Sequence, residues 1–320
     1  MRAWQIKTIG EPAVLATLPD PEPAPGEALV RIAACGLNFA DLLMAKGTYQ
    51  EHPALPFIPG LECSGTVVAL GPGTAGPAPG TRVAVFAGHG GLAEIGCFPV
   101  ARLVPIPEGM SLAEAAAFQV AYGTSHVALD HRARLQPGET LLVLGASGGV
   151  GLTAVEIGKR MGARVIASAR GAARLSVAQA AGADVLIDSD APDLRGALIA
   201  LGGVDVVYDA VGGPAFEAAL RATRPEGRLL CIGFASGEVP QIAANLLLVK
   251  NLTVIGLYWG GYLTFRPGIL TESLATLFGW YGEGGLRPHI SHALPLDRLH
   301  DGLDLLRSRA ATGKVVILTT

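Results

Sequence analysis

The sequence is poor in groups that react on their own. Four cysteines occur in 320 residues, Cys35, Cys63, Cys97 and Cys231, and no two form a CxxC pair. A disulfide framework or a four-cysteine metal lobe is therefore not expected. The seven histidines form no HxH, HxxxH or HExxH pattern, so no histidine metal site is expected. No basic block appears and the formal charge is −3, which argues against duplex nucleic acid as a partner. No apolar run reaches membrane-spanning length, and the first residues, MRAWQIKTIGEPAVL, lack the apolar core of a signal peptide. No membrane association is expected, and a cytoplasmic location is.

Half of the residues are apolar, enough for a full core, and the length suits two domains. The 43 glycines and 22 prolines are scattered, as many tight turns require. Residues 1–110 read as β-rich. Short apolar runs at 28–34, 63–70, 82–86 and 103–106 are separated by Pro/Gly clusters, the pattern of a small β-barrel or sandwich. Ser111, with Glu114 three residues on, forms a capping box before an Ala-rich helix, and a second helix is expected at about 123–134.

From 140 to 257 the pattern changes to apolar strands alternating with helices. Strands are expected at 140–146, 164–169, 184–188, 205–211, 227–234 and 252–257. Their continuous apolar character suits a doubly wound parallel sheet covered on both faces. After 257 the alternation stops. A helix at about 268–283, a strand at 290–294, a helix at 297–308 and a last strand at 314–318 follow. That lone last strand needs a sheet to join, and the N-terminal β domain is the expected host.

The strongest motif is strand, glycine turn, helix, strand over 140–170. The turn GASGGVG holds Ala146, Gly148 and Gly151 at the spacing of a dinucleotide fingerprint, with Ser147, Gly149 and Val150 between them. Gly148 lets the backbone approach a pyrophosphate and Gly151 lets the helix pack on the strand, while the helix N-terminus supplies free amides. An NAD ribose calls for a carboxylate at the end of the second strand. Here that strand ends Ser168-Ala169-Arg170, with Arg174 one turn on. Two arginines suit a 2′-phosphate, which points to NADPH; the bland alternative is two solvated arginines. Asp188 ends the third strand, where it meets either an adenosine group or only its own turn.

Taken together, CGLNFADLLMAKGTY (35–49), PFIPGLECSGTV (56–67), VAYGTSHVAL (120–129), GASGGVG, YDAVGG (208–213), IGFASG (232–237) and ATGKVV (311–316) resemble the medium-chain dehydrogenase/reductase superfamily, specifically its zinc-free quinone oxidoreductase branch. The resemblance covers nearly the whole chain. It implies an α/β protein with a GroES-like β-barrel catalytic domain (1–118), a Rossmann NADPH-binding domain (119–257) and a return to the catalytic domain (258–320). In zinc-dependent members a Cys-Gly and a Gly-His-Glu carry metal ligands. Here Cys35 precedes Gly36, but the triplet is Gly60-Leu61-Glu62, and leucine cannot ligate zinc. No metal is expected. Without a Lewis acid, alcohol oxidation gives way to reduction of quinones or conjugated enones.

The resemblance also implies site residues, each with an ordinary alternative. Asn38 and Asp41 face nicotinamide and substrate in the family, or else begin a helix. Tyr49 is a pocket tyrosine or a half-buried core aromatic. Thr124 lies beside the nicotinamide or bonds its own helix. Val211, Gly233, Phe234 and Ala235 end parallel strands where such sheets hold ligands. Tyr258 and Trp259 wall the nicotinamide end or simply pack. Lys314 resembles a lysine near the cofactor or is solvated. The strand near 252–257 lies at the sheet edge in the superfamily, so a homodimer is expected. Two further readings stay open: an enoyl-thioester reductase, and a catalytically idle NADPH-binding protein.

Overall fold

The computed structural model describes residues 1–319, and the chain divides into two compact units, Met1–Val120 with Pro288–Thr320 and Ala121–Arg287. The return to the first unit thus falls at 287/288, thirty residues later than the 257/258 boundary expected from the sequence. Helix Pro267–Gly282 belongs to the second unit and buries Leu270, Ser273, Leu274 and Leu277. Its sequence announces a helix but not which core receives it. Among the described residues no helix is long and apolar enough to cross a membrane.

The first unit is built on strand Glu27–Gly36. Along its length it pairs antiparallel with Glu62–Leu70. At its start it also pairs with Ile95–Pro99, and at its end with Lys314–Leu318. The last strand therefore joins the N-terminal β unit, as its isolation in the sequence required. Val30, Ile32, Val67, Val83, Val85, Phe98, Val315 and Ile317 form the apolar core. Strand Ile95–Pro99 was not expected; its sequence, IGCFP, mixes Gly and Pro with few β-formers. The box of Ser111 and Glu114 forms as read: the Ser111 amide donates to Glu114 Oε2 at 2.9 Å, and the Glu114 amide to Ser111 Oγ at 3.2 Å.

The second unit carries a six-stranded parallel sheet. The order in space is Val185–Asp188, Arg164–Ala169, Thr140–Leu144, Val204–Asp209, Thr223–Cys231, Thr253–Gly256. Every residue of Thr140–Leu144 is buried, because a central parallel strand is covered on both faces. The chain order reverses beside this strand, so the loop after it opens at the switch point, where such sheets leave a crevice at their carboxyl ends.

Glycine makes that loop possible. Gly145 has φ +72°, a left-handed value costly for other residues. At Gly151 an added Cβ would lie 2.1 Å from the Gly145 carbonyl oxygen, and at Gly158 it would lie 2.4 Å from Leu141 Cδ2. Helix Gly149–Arg160 therefore lies directly on the strand before it. Gly151→Ala is expected to cost about 1–3 kcal/mol through this backbone overlap, read as a lower urea midpoint; an unchanged midpoint would contradict the packing described.

Candidate active site

In the second unit the turn residues converge at the carboxyl end of the sheet. The Ala146 amide donates to the Ser168 carbonyl at 3.0 Å, tying the turn to the next strand, and the Gly148 amide donates back to Gly145 at 3.0 Å. Ala146, Ser147 and Ser168 are buried. Helix Gly149–Arg160 begins at Gly148 with no side-chain cap. Its first-turn amides, Gly149 to Gly151, lie at the positive end of a helix dipole.

Gly148 differs from Gly151. Its φ is −80°, and a Cβ there would meet only the Gly145 oxygen, at an ordinary 3.4 Å. Packing within the chain does not demand glycine at this place. Gly233 is alike: a Cβ would meet only the Ala210 oxygen, at 3.6 Å. These two positions leave open backbone at the end of the sheet, as a bound pyrophosphate would use.

Asp209, which the sequence reading passed over, organises the neighbouring loop. It ends strand Val204–Asp209 fully buried, and its Oδ1 accepts the amides of Val211 at 2.8 Å and Gly212 at 3.0 Å. Burial pushes its carboxyl above the usual range, against the pull of those amides. The Ala235 amide then donates to Ala210 at 3.1 Å, which brings the 233–235 loop beside Val211. A strand-ending acid before two glycines was the available signal.

Arg170 is exposed and precedes helix Gly171–Ala180, with half-buried Arg174 one turn on. Arg170 Nε reaches Asp190 Oδ1 at 3.1 Å, an exposed pair of small energetic weight. Asp188 holds its own turn: Oδ1 accepts the Gly171 amide at 3.2 Å and the Asp190 amide at 3.0 Å, and these bonds lower its pKa. Thr124 is buried beside Ser125, whose hydroxyl bonds Val150 O at 2.9 Å and Tyr208 Oη at 2.9 Å. Trp259 is buried against Gly123, where a Cβ would fall 2.8 Å from its ring, so it packs. Tyr258 is exposed.

In the first unit a buried polar knot gathers Asn38, Glu62 and Lys314. Glu62 is 1% exposed. Its Oε1 accepts Lys314 Nζ at 2.8 Å and Asn38 Nδ2 at 3.0 Å, and its Oε2 accepts the Val120 amide at 2.9 Å. Lys314 Nζ also donates to Leu37 O at 2.9 Å and Asn38 Oδ1 at 2.7 Å. An ammonium has three protons, and all three are engaged within this unit. Lys314 is therefore not the solvated lysine of the alternative reading; its amino group is engaged within this unit. Asn38 Nδ2 sends its other proton to Gly36 O at 3.1 Å. Asn38 has no amide proton left for an acceptor and serves as a positioning residue, holding the start of helix Phe39–Ala45. Tyr49 is half-buried in the bend after that helix.

Asp41 sits in the first turn of the helix. Its Oδ2 accepts the Asn38 amide at 2.8 Å, whereas Oδ1 is buried with no hydrogen-bond partner among the described residues. Burial dominates and pushes its carboxyl from 3.8 up to about 7. Cys35 and Cys63 stand opposite each other on adjacent strands, both buried, and burial pushes both thiols up. Leu61 is buried next to Glu62. No three His, Cys, Asp or Glu side chains among the described residues are grouped to hold a metal ion. Cys35 with Leu61 and a lysine-bound Glu62 does not make a zinc donor set.

The native state holds the Asp41 proton more tightly than the unfolded chain. The stability this supplies is complete below 3.8 and is lost as pH rises to about 7. Asp41→Asn should therefore gain stability over the natural chain between about pH 4 and pH 8, by about 4 kcal/mol at most. Urea unfolding at the two pH values checks this; a pH-independent difference would contradict a buried, neutral Asp41.

Residues 24–108 match the family described as alcohol dehydrogenase GroES-like domain, and residues 149–274 the family described as zinc-binding dehydrogenase. The chain is 39% identical over 326 residues to quinone oxidoreductase-like protein 2 homolog of Nematostella vectensis, covering 99% of this chain and 89% of that protein. The quinone oxidoreductase of Thermus thermophilus, solved alone and with NADPH, is 36% identical, with a TM-score of 0.88 and 100% of each chain covered. The Escherichia coli quinone oxidoreductase complexed with NADPH is 27% identical, with a TM-score of 0.91 and again 100% of each chain covered. This chain belongs to the quinone oxidoreductase-like branch of the medium-chain dehydrogenase/reductase superfamily, a family of oxidoreductases.

Proposed function

We propose that this protein is an NADPH-dependent oxidoreductase that reduces quinones or conjugated enones without a metal. One observation carries the cofactor: an uncapped helix N-terminus beside open glycine backbone, followed by a strand that ends in arginine rather than a carboxylate. NADPH in the two quinone oxidoreductase structures supports the same reading.

When bound, the reduced nicotinamide supplies the two-electron reducing equivalent. The amides of Gly149, Val150 and Gly151 take the pyrophosphate. Arg170 and Arg174 take the 2′-phosphate, Arg170 by exchanging Asp190 for a stronger phosphate pair. Asp209 fixes the Val211–Gly212 turn, and with it the 233–235 loop, so that this wall needs no ordering when the cofactor arrives. The Tyr49 hydroxyl hydrogen-bonds the acceptor's carbonyl oxygen and stabilises charge as it develops there. Glu62 and Lys314 hold Asn38 and the helix that leads to Tyr49. With Leu61 where a ligand would stand, no residue set polarises an alcohol, so an already electron-poor acceptor is the fitting substrate.

Strand Thr253–Gly256 lies at the edge of the parallel sheet. In this reading it pairs with the same strand of a second copy, which would cover its open backbone groups.

Purified protein should oxidise NADPH in preference to NADH with 1,4-benzoquinone, 9,10-phenanthrenequinone or an alkenal, and turn over crotonyl-coenzyme A poorly. Replacing Arg170 and Arg174 together by Ala should raise the KM for NADPH roughly tenfold or more and leave that for NADH in place. Gly148→Ala should weaken both cofactors without lowering the urea midpoint. Preference for NADH, or turnover of the thioester alone, would overturn this reading.

A further inference from the structure

We infer that His89 is the acid that protonates the acceptor, an assignment that rests on the reductase reading above. Transfer of a hydride equivalent to a quinone or enone leaves an anion on the acceptor. One proton completes the reduction, and none of the residues in the knot can deliver it. Lys314 and Asn38 have their protons engaged, and Asp41 is buried.

His89 lies at the same end of the sheet as that knot. Strand Arg82–Phe86 ends with Phe86 opposite Glu62. The loop beyond it is fastened to the loop that carries Leu61. The amides of Ala87 and Gly88 both donate to Leu61 O at 3.2 Å, that of Gly90 to Ile58 O at 2.7 Å, and that of Gly91 to Gly60 O at 2.9 Å. Gly88 and Gly90 have φ of +86° and +97°, so His89 is held at the tip of a turn between two left-handed residues. The backbone of this turn thus sets where the His89 side chain starts.

Its surroundings suit proton transfer. His89 is exposed, so water can restore its proton after each turnover. The ring stands edge-on to Phe57, with centroids 6.4 Å apart. A carboxylate is close by: a Cβ placed on Gly88 would fall 2.6 Å from Glu51 Oε2. Glu51 follows Tyr49 by two residues, so the segment that carries the acceptor-binding hydroxyl also brings this carboxylate. Partial burial lowers the imidazole pKa, and Glu51 pulls it the other way. The two loops, 56–61 and 87–92, contain no other titratable side chain, and Phe98, which packs beneath Gly90, is apolar. Glu51 is thus the charged group that sets His89.

The step balances with the reductase reaction. The imidazolium N–H bond breaks and an O–H bond forms on a quinone, or a C–H bond on the α-carbon of an enone. The electron pair comes from NADPH, and solvent returns the proton to His89. General acid catalysis of this kind is worth about 10²-fold or more. Because the acid form is required, kcat should fall as pH rises through the His89 pKa, which lies below the ordinary imidazole value.

The test measures NADPH oxidation with 1,4-benzoquinone and an alkenal across pH for the natural chain, His89→Gln, His89→Ala and Glu51→Gln, with NADPH affinity followed by fluorescence. His89→Gln should lose about 100-fold or more in kcat and its pH dependence, with NADPH affinity unchanged. Imidazole added to His89→Ala should restore most of the lost rate. Glu51→Gln should move the decline to lower pH. No turnover by the natural chain would overturn the reductase reading and this assignment together. Turnover with wild-type kcat and pH profile in His89→Gln, or a loss in His89→Ala that imidazole does not relieve, would overturn the assignment alone.

Discussion

The buried carboxylate of Glu62 is the constraint on which the first unit's site depends. A buried charge without partners is costly, and this one is fully paired. It gathers an ammonium from the last strand, an amide side chain from the start of a helix and a backbone amide from residue 120. Three distant stretches of chain are thereby held by one side chain. The C-terminal strand is part of the site through Lys314, and Asn38 is fixed in orientation by donors and acceptors it cannot exchange cheaply. The chemistry of this region follows. Its strongest charges satisfy each other and its thiols are buried, which is why the proposed chemistry is assigned to Tyr49 and His89 instead.

The second unit solves a different problem with backbone rather than side chains. Gly145 and Gly151 are glycine because the turn and the helix contact require it; Gly148 and Gly233 face open space. The distinction separates architecture from recognition. In the proposed reading an anion would be received by amides and a helix dipole that are already in place, so little ordering would accompany binding. Asp209 contributes in the same way, as a buried acid that fixes a loop and carries no net interaction with solvent.

Much of this was legible in the sequence, and the reasons are physical. Central parallel strands are apolar throughout, so Thr140–Leu144 and its neighbours stood out, and the glycine turn between strand and helix marked the switch point of the sheet. The isolated last strand required a host sheet, and the structure supplies it. What was not legible depends on long-range contacts. Lys314 and Asn38 meet across a separation of 276 residues, and nothing local marks a lysine as buried. The return to the first unit was misplaced because the buried face of helix Pro267–Gly282 looks the same whichever core receives it. Strand Ile95–Pro99 was missed because pairing with Glu27–Gly36, not propensity, makes it a strand.

In the function proposed above, Leu61 and the lysine-bound Glu62 leave this chain a reductase that needs no metal. The most direct measurement is the metal content of the purified protein, set beside its NADPH-dependent quinone reduction before and after exhaustive chelation. Substoichiometric zinc and an unchanged rate are expected. One zinc per chain, lost together with activity and restored with it, would show that the reductase needs the metal.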